Sequence, residues 1–414
     1  MCYTCDTILE KLNGDCSECE FVDLSRVTRG FVESVIREMT RVARRHPGTI
    51  NLAQGFPDFP APEEVKEAAV KAIRADVNQY AVTWGKQALR EAICEKLRWY
   101  NGVDADPDAN VTVCCGSTEA MFASLMAVVN PGDEVVVFEP FYENYGPDCK
   151  LSGATPRHVR LDPPNWELDE EVLKEAFSRK TKAIVINTPN NPTGKVFSRE
   201  ELRVVADLCV DYDAIAITDE IYEHVLYDGE RHVSIASFPE MHDRSVTINS
   251  ISKTYSLTGW RVGWAVACDE ITREVKKVHD FLTVGAAAPL QEAAVVALTL
   301  DRSYYEWLAD FYENARETLL SALDLTPFEP FVPKGAYYVL CDCREYVQRR
   351  GIATSAELAI HLVKEFGVAT VPGASFYASG ERSPGRYLTR FCFCKKPETL
   401  SAAAERLRAV GTNS

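Results

Sequence analysis

Asn249-Ser250-Ile251-Ser252-Lys253-Thr254-Tyr255-Ser256-Leu257-Thr258-Gly259-Trp260-Arg261-Val262-Gly263 follows an apolar run over 245–248. One lysine and one arginine, set among hydroxyls, therefore stand at the end of a strand. A lysine held in a partly desolvated pocket near other cations has a lowered pKa and condenses with a carbonyl as a Schiff base. Arg261 keeps its charge and offers a fork of donors suited to phosphate oxygens. Alone, the same residues also describe a solvated Lys/Arg pair beside a turn, so their surroundings decide.

Those surroundings are a repeating pattern. Residues 111–115, 134–138, 182–186, 214–218 and 245–248 are short apolar runs, separated by stretches that admit a crossover helix. That is the pattern of a parallel α/β sheet. The runs end in Gly116-Ser117-Thr118, in Glu139 to Tyr142, in Asn187 to Gly194, in Asp219 to Tyr222, and in the lysine stretch. Ligands of open α/β sheets sit outside the carboxyl ends of the strands, so five such ends point to one site. A further strand is expected over 264–268. Hydrophobic periodicity predicts helices over 24–45, 62–75, 86–100, 119–129, 270–281, 290–325, 355–366 and 397–410. Strands are expected over 337–341 and 387–393. The Gly/Pro-rich stretch 50–62 and Pro327, Pro330 and Pro333 mark boundaries.

With 46% hydrophobic and 26% charged residues, the 414-residue chain has the composition of a globular protein. Its net charge of −16 disfavours sequence-independent binding to nucleic acid or anionic lipid. No stretch approaches the roughly 18 apolar residues of a membrane span. The start, Met-Cys-Tyr-Thr-Cys-Asp, has neither a basic nor an apolar leader region, so a cytoplasmic location is expected. Of the fourteen cysteines, Cys94, Cys149, Cys209 and Cys268 lie in apolar runs and read as reduced core thiols. Cys2, Cys5, Cys16 and Cys19 instead form two C-x2-C pairs, a candidate tetrahedral zinc set.

The strand ends supply the parts of a cofactor site. Ser117 and Thr118 open a helix, whose free N–H groups favour an anion. With Ser250, Ser252 and Arg261 they make a cup for phosphate. Asp219 ends an apolar strand and needs a cationic partner, such as a protonated pyridine nitrogen. Tyr222 and Asn191 offer hydrogen bonds to a phenolate oxygen, and Tyr142 a surface to stack on a flat ring. With Lys253, these describe pyridoxal 5′-phosphate, an electron sink for carbanions.

The sequence resembles the fold-type I, class I/II aminotransferases over roughly 24–410. The motifs are Asn78-Gln79-Tyr80, Asn187-x-Pro-x-Asn191-Pro-Thr-Gly194, Asp219-Glu-x-Tyr222, Ser250-x-Ser-Lys253 with Arg261, and Arg390 in Leu-Thr-Arg-Phe. Gln54 to Phe59, with Asn78 to Tyr80, is most similar to the branch of kynurenine, glutamine, methionine and aromatic aminotransferases. The resemblance implies a three-layer α/β fold with a mostly parallel central sheet and a second, smaller α+β domain. It divides the chain into a Cys-rich extension (1–23), an N-terminal part of the small domain (24–60), a large cofactor-binding domain (61–299) and a C-terminal small domain (300–414). It further implies that Lys253 moves protons as general acid/base and that Arg390 clamps the α-carboxylate, helped by Asn191 and the backbone of Gly55. Tyr80 would reach the phosphate in a neighbouring subunit, making a homodimer, and the reaction between an amino acid and a 2-oxo acid would be ping-pong.

Thr118 and Ala286-Ala287 depart from the bulky residues of kynurenine transaminases and imply a roomier pocket. Three other readings stay open. Aspartate transamination would need a second cation, and neither Arg29 nor Lys86 is assignable to it from sequence. Elimination or decarboxylation would use the same lysine. A non-catalytic regulatory role would use the cysteine pairs for docking.

Overall fold

The computed structural model describes residues 25–412, so the four N-terminal cysteines and the zinc expectation lie outside the described residues. Its strands in chain order are β1 (Ile50–Asn51), β2 (Val111–Cys114), β3 (Glu134–Glu139), β4 (Thr155–Arg160), β5 (Thr181–Asn187), β6 (Ile215–Asp219) and β7 (Ser245–Ser250). They continue with β8 (Gly263–Ala267), β9 (Glu329–Phe331), β10 (Tyr338–Asp342), β11 (Val368–Ala369), β12 (Val371–Pro372) and β13 (Leu388–Cys392).

The large sheet has the order β2-β8-β7-β6-β5-β3-β4, and β8 alone runs antiparallel to its neighbours. Its strands are apolar at successive positions because both faces are covered. On β5, Ala183 and Val185 pack with Met121 and Leu125 of the helix Ser117–Val128. Ile184 and Ile186 point the other way, to Leu202 and Val205 of the helix Arg199–Asp211. Side chains alternate along a strand, so one sheet between two helical layers follows, the three-layer α/β architecture expected.

A four-stranded antiparallel sheet, β12-β13-β10-β9, packs under the helices Arg302–Leu323 and Pro397–Thr412 in a separate core around Tyr312, Leu319, Phe391 and Leu407. The N-terminal segment joins this C-terminal region: β1 pairs in parallel with β11, Ile50 opposite Val368.

Several elements differ from the sequence expectation, three of them for a plain physical reason. The first long helix begins only at Val35, because Ser34 accepts from Arg37 N and the Glu143 carboxylate accepts from the backbone N–H of Val35 and Ile36. The helical region 290–325 is two helices, Ala288–Leu298 and Arg302–Leu323, the second capped by Asp301. Strand β4 was not expected; it is a mostly exposed edge strand with a proline, and lacks the apolar run that marks the others.

β7 and β8 form a hairpin closed at Ser250 and Gly263, and its loop carries both Lys253 and Arg261. Among the described residues, no helix is long and apolar enough to cross a membrane.

Candidate active site

A cavity of about 840 Å³ opens at the carboxyl ends of the parallel strands. Gly55, Ser117, Thr118, Tyr142, Asn191, Asp219, Tyr222, Ser252, Lys253, Arg261 and Arg390 all line it. Two expected residues stand elsewhere. Ser250 is buried beside the cavity, its Oγ accepting the N–H of Ser252. Tyr80 projects from the surface with 88% of its area exposed.

At one end the N-terminus of the helix Ser117–Val128 meets Arg261. Gly116 has φ +85°, and a Cβ there would lie 2.3 Å from Arg261 Nη2. A Cβ on Gly263 would lie 2.5 Å from Ser117 N. Only glycines let the guanidinium and the helix end approach this closely. Arg261, itself left-handed at φ +55°, donates to Thr258 O at 3.0 Å and to Thr118 Oγ1 at 3.4 Å. Ser252 Oγ is buried without a partner. This collection of donors has no anion of its own, and a phosphate group fits it.

Lys253 reaches across the cavity floor, its Nζ donating to Gly55 O at 3.2 Å. Burial, with Arg261 and Arg390 nearby, lowers its pKa to about 8 despite the opposing influence of Asp219 and Cys394. Much of the amine is therefore neutral, and nucleophilic, at mildly alkaline pH.

Asp219 ends β6 with its carboxylate buried. Oδ2 accepts from Tyr145 Oη at 2.8 Å and Oδ1 from Ile221 N at 3.3 Å. Burial still pushes its pKa up to about 6, because these neutral donors do not replace a counter-cation. A protonated ring nitrogen would supply one. Tyr142 lines the cavity nearby, and the Tyr222 hydroxyl lies 2.9 Å from that of Tyr338.

Arg390, on β13, is 0% exposed. Nη1 donates to Asn191 Oδ1 at 2.7 Å and Nη2 to Ala53 O at 2.6 Å, while Nε has no partner. The rings of Tyr338 and Phe376 cover it at 4.2 and 5.0 Å. A buried guanidinium held only by neutral acceptors is built to receive a carboxylate.

Several site residues were not identified from sequence. Tyr338 covers Arg390 and packs on Gly55, where a Cβ would lie 2.0 Å from its hydroxyl. Tyr145 holds Asp219, and Asn187 accepts the N–H of Asn191 at 2.7 Å. Asn187 opens a motif visible in the sequence; the two tyrosines carry no such signal.

Behind the cavity, Glu220 and Glu223 are buried. Glu220 pairs with His232 at 2.8 Å, Glu223 pairs with Lys96, and Asn249 Nδ2 bridges to Glu220 O and Glu223 Oε1. This network ties the end of β6, with Asp219, to the end of β7, which leads to Lys253. Glu119 and His279 form a second buried pair at 2.6 Å.

The phosphate seat, the neutral-leaning lysine, the unpaired aspartate and the carboxylate-seeking arginine together fit pyridoxal phosphate and an amino-acid substrate. Comparison with known proteins agrees. The aminotransferase class I and II family matches residues 47–407. The methionine aminotransferase of Escherichia coli K12 is 36% identical, over 91% of this chain and 96% of its own. Human kynurenine–oxoglutarate transaminase 1 is also 36% identical, over 90% and 94%. A solved E. coli methionine aminotransferase structure superposes with a TM-score of 0.87 at 35% identity, covering 94% of this chain and 100% of that one. The chain belongs to the aminotransferase class I and II family and is a pyridoxal-phosphate-dependent transferase.

Proposed function

We propose that the protein moves amino groups between L-amino acids with uncharged or aromatic side chains and 2-oxo acids, over a broad range and by a ping-pong cycle. The observation that carries this reading is Arg390, buried without an anion and sharing one cavity with Lys253. When bound, pyridoxal phosphate supplies an aldehyde that takes up an amino group and a ring that draws electron density from the substrate Cα. Ser117, Thr118, Ser252 and Arg261 would hold its phosphate, and Asp219 would keep its ring nitrogen protonated. Arg390 would orient the substrate by its α-carboxylate, and Lys253 Nζ would remove the Cα proton and return it. Relatives named for methionine, kynurenine and N-succinyldiaminopimelate support a broad range of donors.

We read the enzyme as a homodimer. Phe281 is 92% exposed, Leu282 and Val284 follow it in the chain half-exposed, and Tyr80, Val82 and Trp84 are exposed on a second segment. His279 Nε2 lies 2.8 Å from Thr83 O, which brings the two exposed segments together, and Leu282 also lines the cavity. An apolar patch continuous with the site suits a second copy that completes it. The same reading keeps the division into 24–60, 61–299 and 300–414, and a reducing, cytoplasmic setting for the free cysteines.

The test is to add single amino acids to the cofactor-loaded protein and follow the ~420 nm absorption of the cofactor. Loss of the band with glutamine, methionine or aromatic amino acids, and its return with a 2-oxo acid, supports the reading. Response to aspartate and glutamate alone favours the dicarboxylate alternative, for which an aspartate aminotransferase from Thermus thermophilus with maleate is a structural relative at 32% identity. No response to any amino acid would overturn it.

A further inference from the structure

His279 is wholly buried on the helix Asp269–Thr283, and its two ring nitrogens face different parts of the fold. Nδ1 lies 2.6 Å from Glu119 Oε1, and Nε2 lies 2.8 Å from Thr83 O. Both partners are acceptors. A neutral imidazole donates once and would turn a lone pair on the other oxygen, so only the imidazolium satisfies both. The nearby Thr283 hydroxyl does not change this, because its proton goes to the same Glu119 Oε1 at 2.8 Å. Asp280 adds a negative charge from the same helix, and the end of β2 brings the thiols of Cys114 and Cys115, which burial keeps protonated. Burial opposes charge on both members of the pair, yet their contact outweighs it, raising the pKa of His279 and lowering that of Glu119.

Both ends of this link are spent on backbone that faces the cofactor site. Glu119 lies in the first turn of the helix that opens at Ser117, and it lines the active-site cavity. Its other oxygen, Oε2, accepts the N–H of Cys115, so the carboxylate fixes the turn 115–118 that forms the phosphate seat. An uncompensated carboxylate here would repel a phosphate, and the imidazolium behind it offsets that charge. At the far end, Thr83 lies three residues beyond the exposed Tyr80. Trp84 O accepts from Val113 N at 3.1 Å, and Lys86 N donates to Gln291 Oε1 at 2.8 Å. The segment 83–86 is thus pinned to the body, with Tyr80 just outside the pinned part.

We propose that His279 is a positioning residue for the cofactor's phosphate: its imidazolium fixes the turn 115–118 through Glu119, and the segment that carries Tyr80 through Thr83. The first half stands on this chain alone. The second rests on the homodimer reading, in which Tyr80 reaches the neighbouring subunit's cofactor. Loss of the ring proton turns a lone pair on one acceptor and bares the Glu119 carboxylate towards the phosphate. Phosphate binding therefore weakens as pH rises through the His279 pKa, which lies above the ordinary histidine value.

The test is calorimetric binding of deoxypyridoxine 5′-phosphate, which has no aldehyde to react with Lys253, to the full-length protein freed of cofactor. It runs from about pH 7 to about pH 10, where the phosphate stays a dianion. Glu119→Gln is the informative variant. Its carboxamide still accepts from Cys115 N and donates to Nδ1 of a neutral His279, whose Nε2–H keeps Thr83. Lys253, with a pKa of about 8, titrates in both proteins, so the ratio of their dissociation constants isolates His279. The two should agree within about threefold near pH 7, and the wild type should become the weaker by about tenfold near pH 10, the scale of one charge-assisted hydrogen bond. His279→Phe, with neither donor, should bind about tenfold to a hundredfold more weakly than wild type near pH 7, and adding Glu119→Gln should recover part of that loss. A wild-type to Glu119→Gln ratio that does not change with pH, or His279→Phe within about twofold of wild type on that same scale, overturns the proposal. Sedimentation of the same samples separates the two halves. A monomeric wild type overturns the homodimer reading and with it the role at Thr83, while the pH-dependent ratio still decides the role at the turn.

Discussion

Arg390 and Asp148 carry opposite charges in a similar predicament, each buried with no ion partner. Arg390→Met should change the stability of the ligand-free protein by no more than about 1–2 kcal/mol, because relief of the buried charge is offset by the buried acceptors of Asn191 and Ala53 left without a donor. It should also lower kcat/KM about a hundredfold or more through loss of the bidentate clamp. Thermal unfolding and steady-state kinetics check the two halves. For Asp148, burial raises the folded pKa to about 7, above the ordinary carboxyl value. The native state then binds more protons than the unfolded chain between roughly pH 4 and 7, so stability is lost as pH rises through that window. Asp148→Asn removes this slope. Equal stability near pH 4 and a gain for the variant at pH 8, up to about 4 kcal/mol, are expected in denaturant titrations. A variant that gains nothing at pH 8 would refute the assignment. At this scale the sequence was most legible where chemistry sits at a strand end, as with Lys253 and Asp219. Tyr338 was silent, because its part arises from an approach across the fold: it comes from β10 in the other sheet.

Among elements, the loop–helix contact at the phosphate end is the most exacting. Gly116→Ala places a methyl on the Arg261 guanidinium and a side chain at φ +85°. Cofactor affinity should fall about tenfold to a hundredfold, read by titrating the cofactor-free protein, as expected when a charge-assisted contact is displaced. The buried network behind β6 and β7 makes a second prediction. Lys96→Met strands the Glu223 carboxylate and should cost about 3–5 kcal/mol in unfolding experiments. Glu223→Gln with Lys96→Met should recover much of it, because the stranded charge is gone. Strand and helix alternation was readable from the apolar runs, since both faces of the large sheet are covered. Helix ends were less so. The start at Val35 is set by Glu143, 108 residues further along the chain, and local periodicity carries no trace of it.

For the whole molecule, the exposed patch around Phe281 gives a direct prediction. Phe281→Asp should shift sedimentation from dimer to monomer and reduce activity at low protein concentration, while leaving the fold intact by circular dichroism. Activity independent of dilution in that variant would refute the shared site. The joining of first and last segments has a different kind of consequence. β1 waits for β11, Leu52 O accepts from Cys392 N, and Arg390 lies on the strand that ends there. Synthesis must run past Cys392 before Gly55 can settle beneath Lys253 and the carboxylate clamp can form. The lysine loop, made some 130 residues earlier, has no substrate seat until then, so a growing chain cannot hold free amino acids before the strand Leu388–Cys392 has been made.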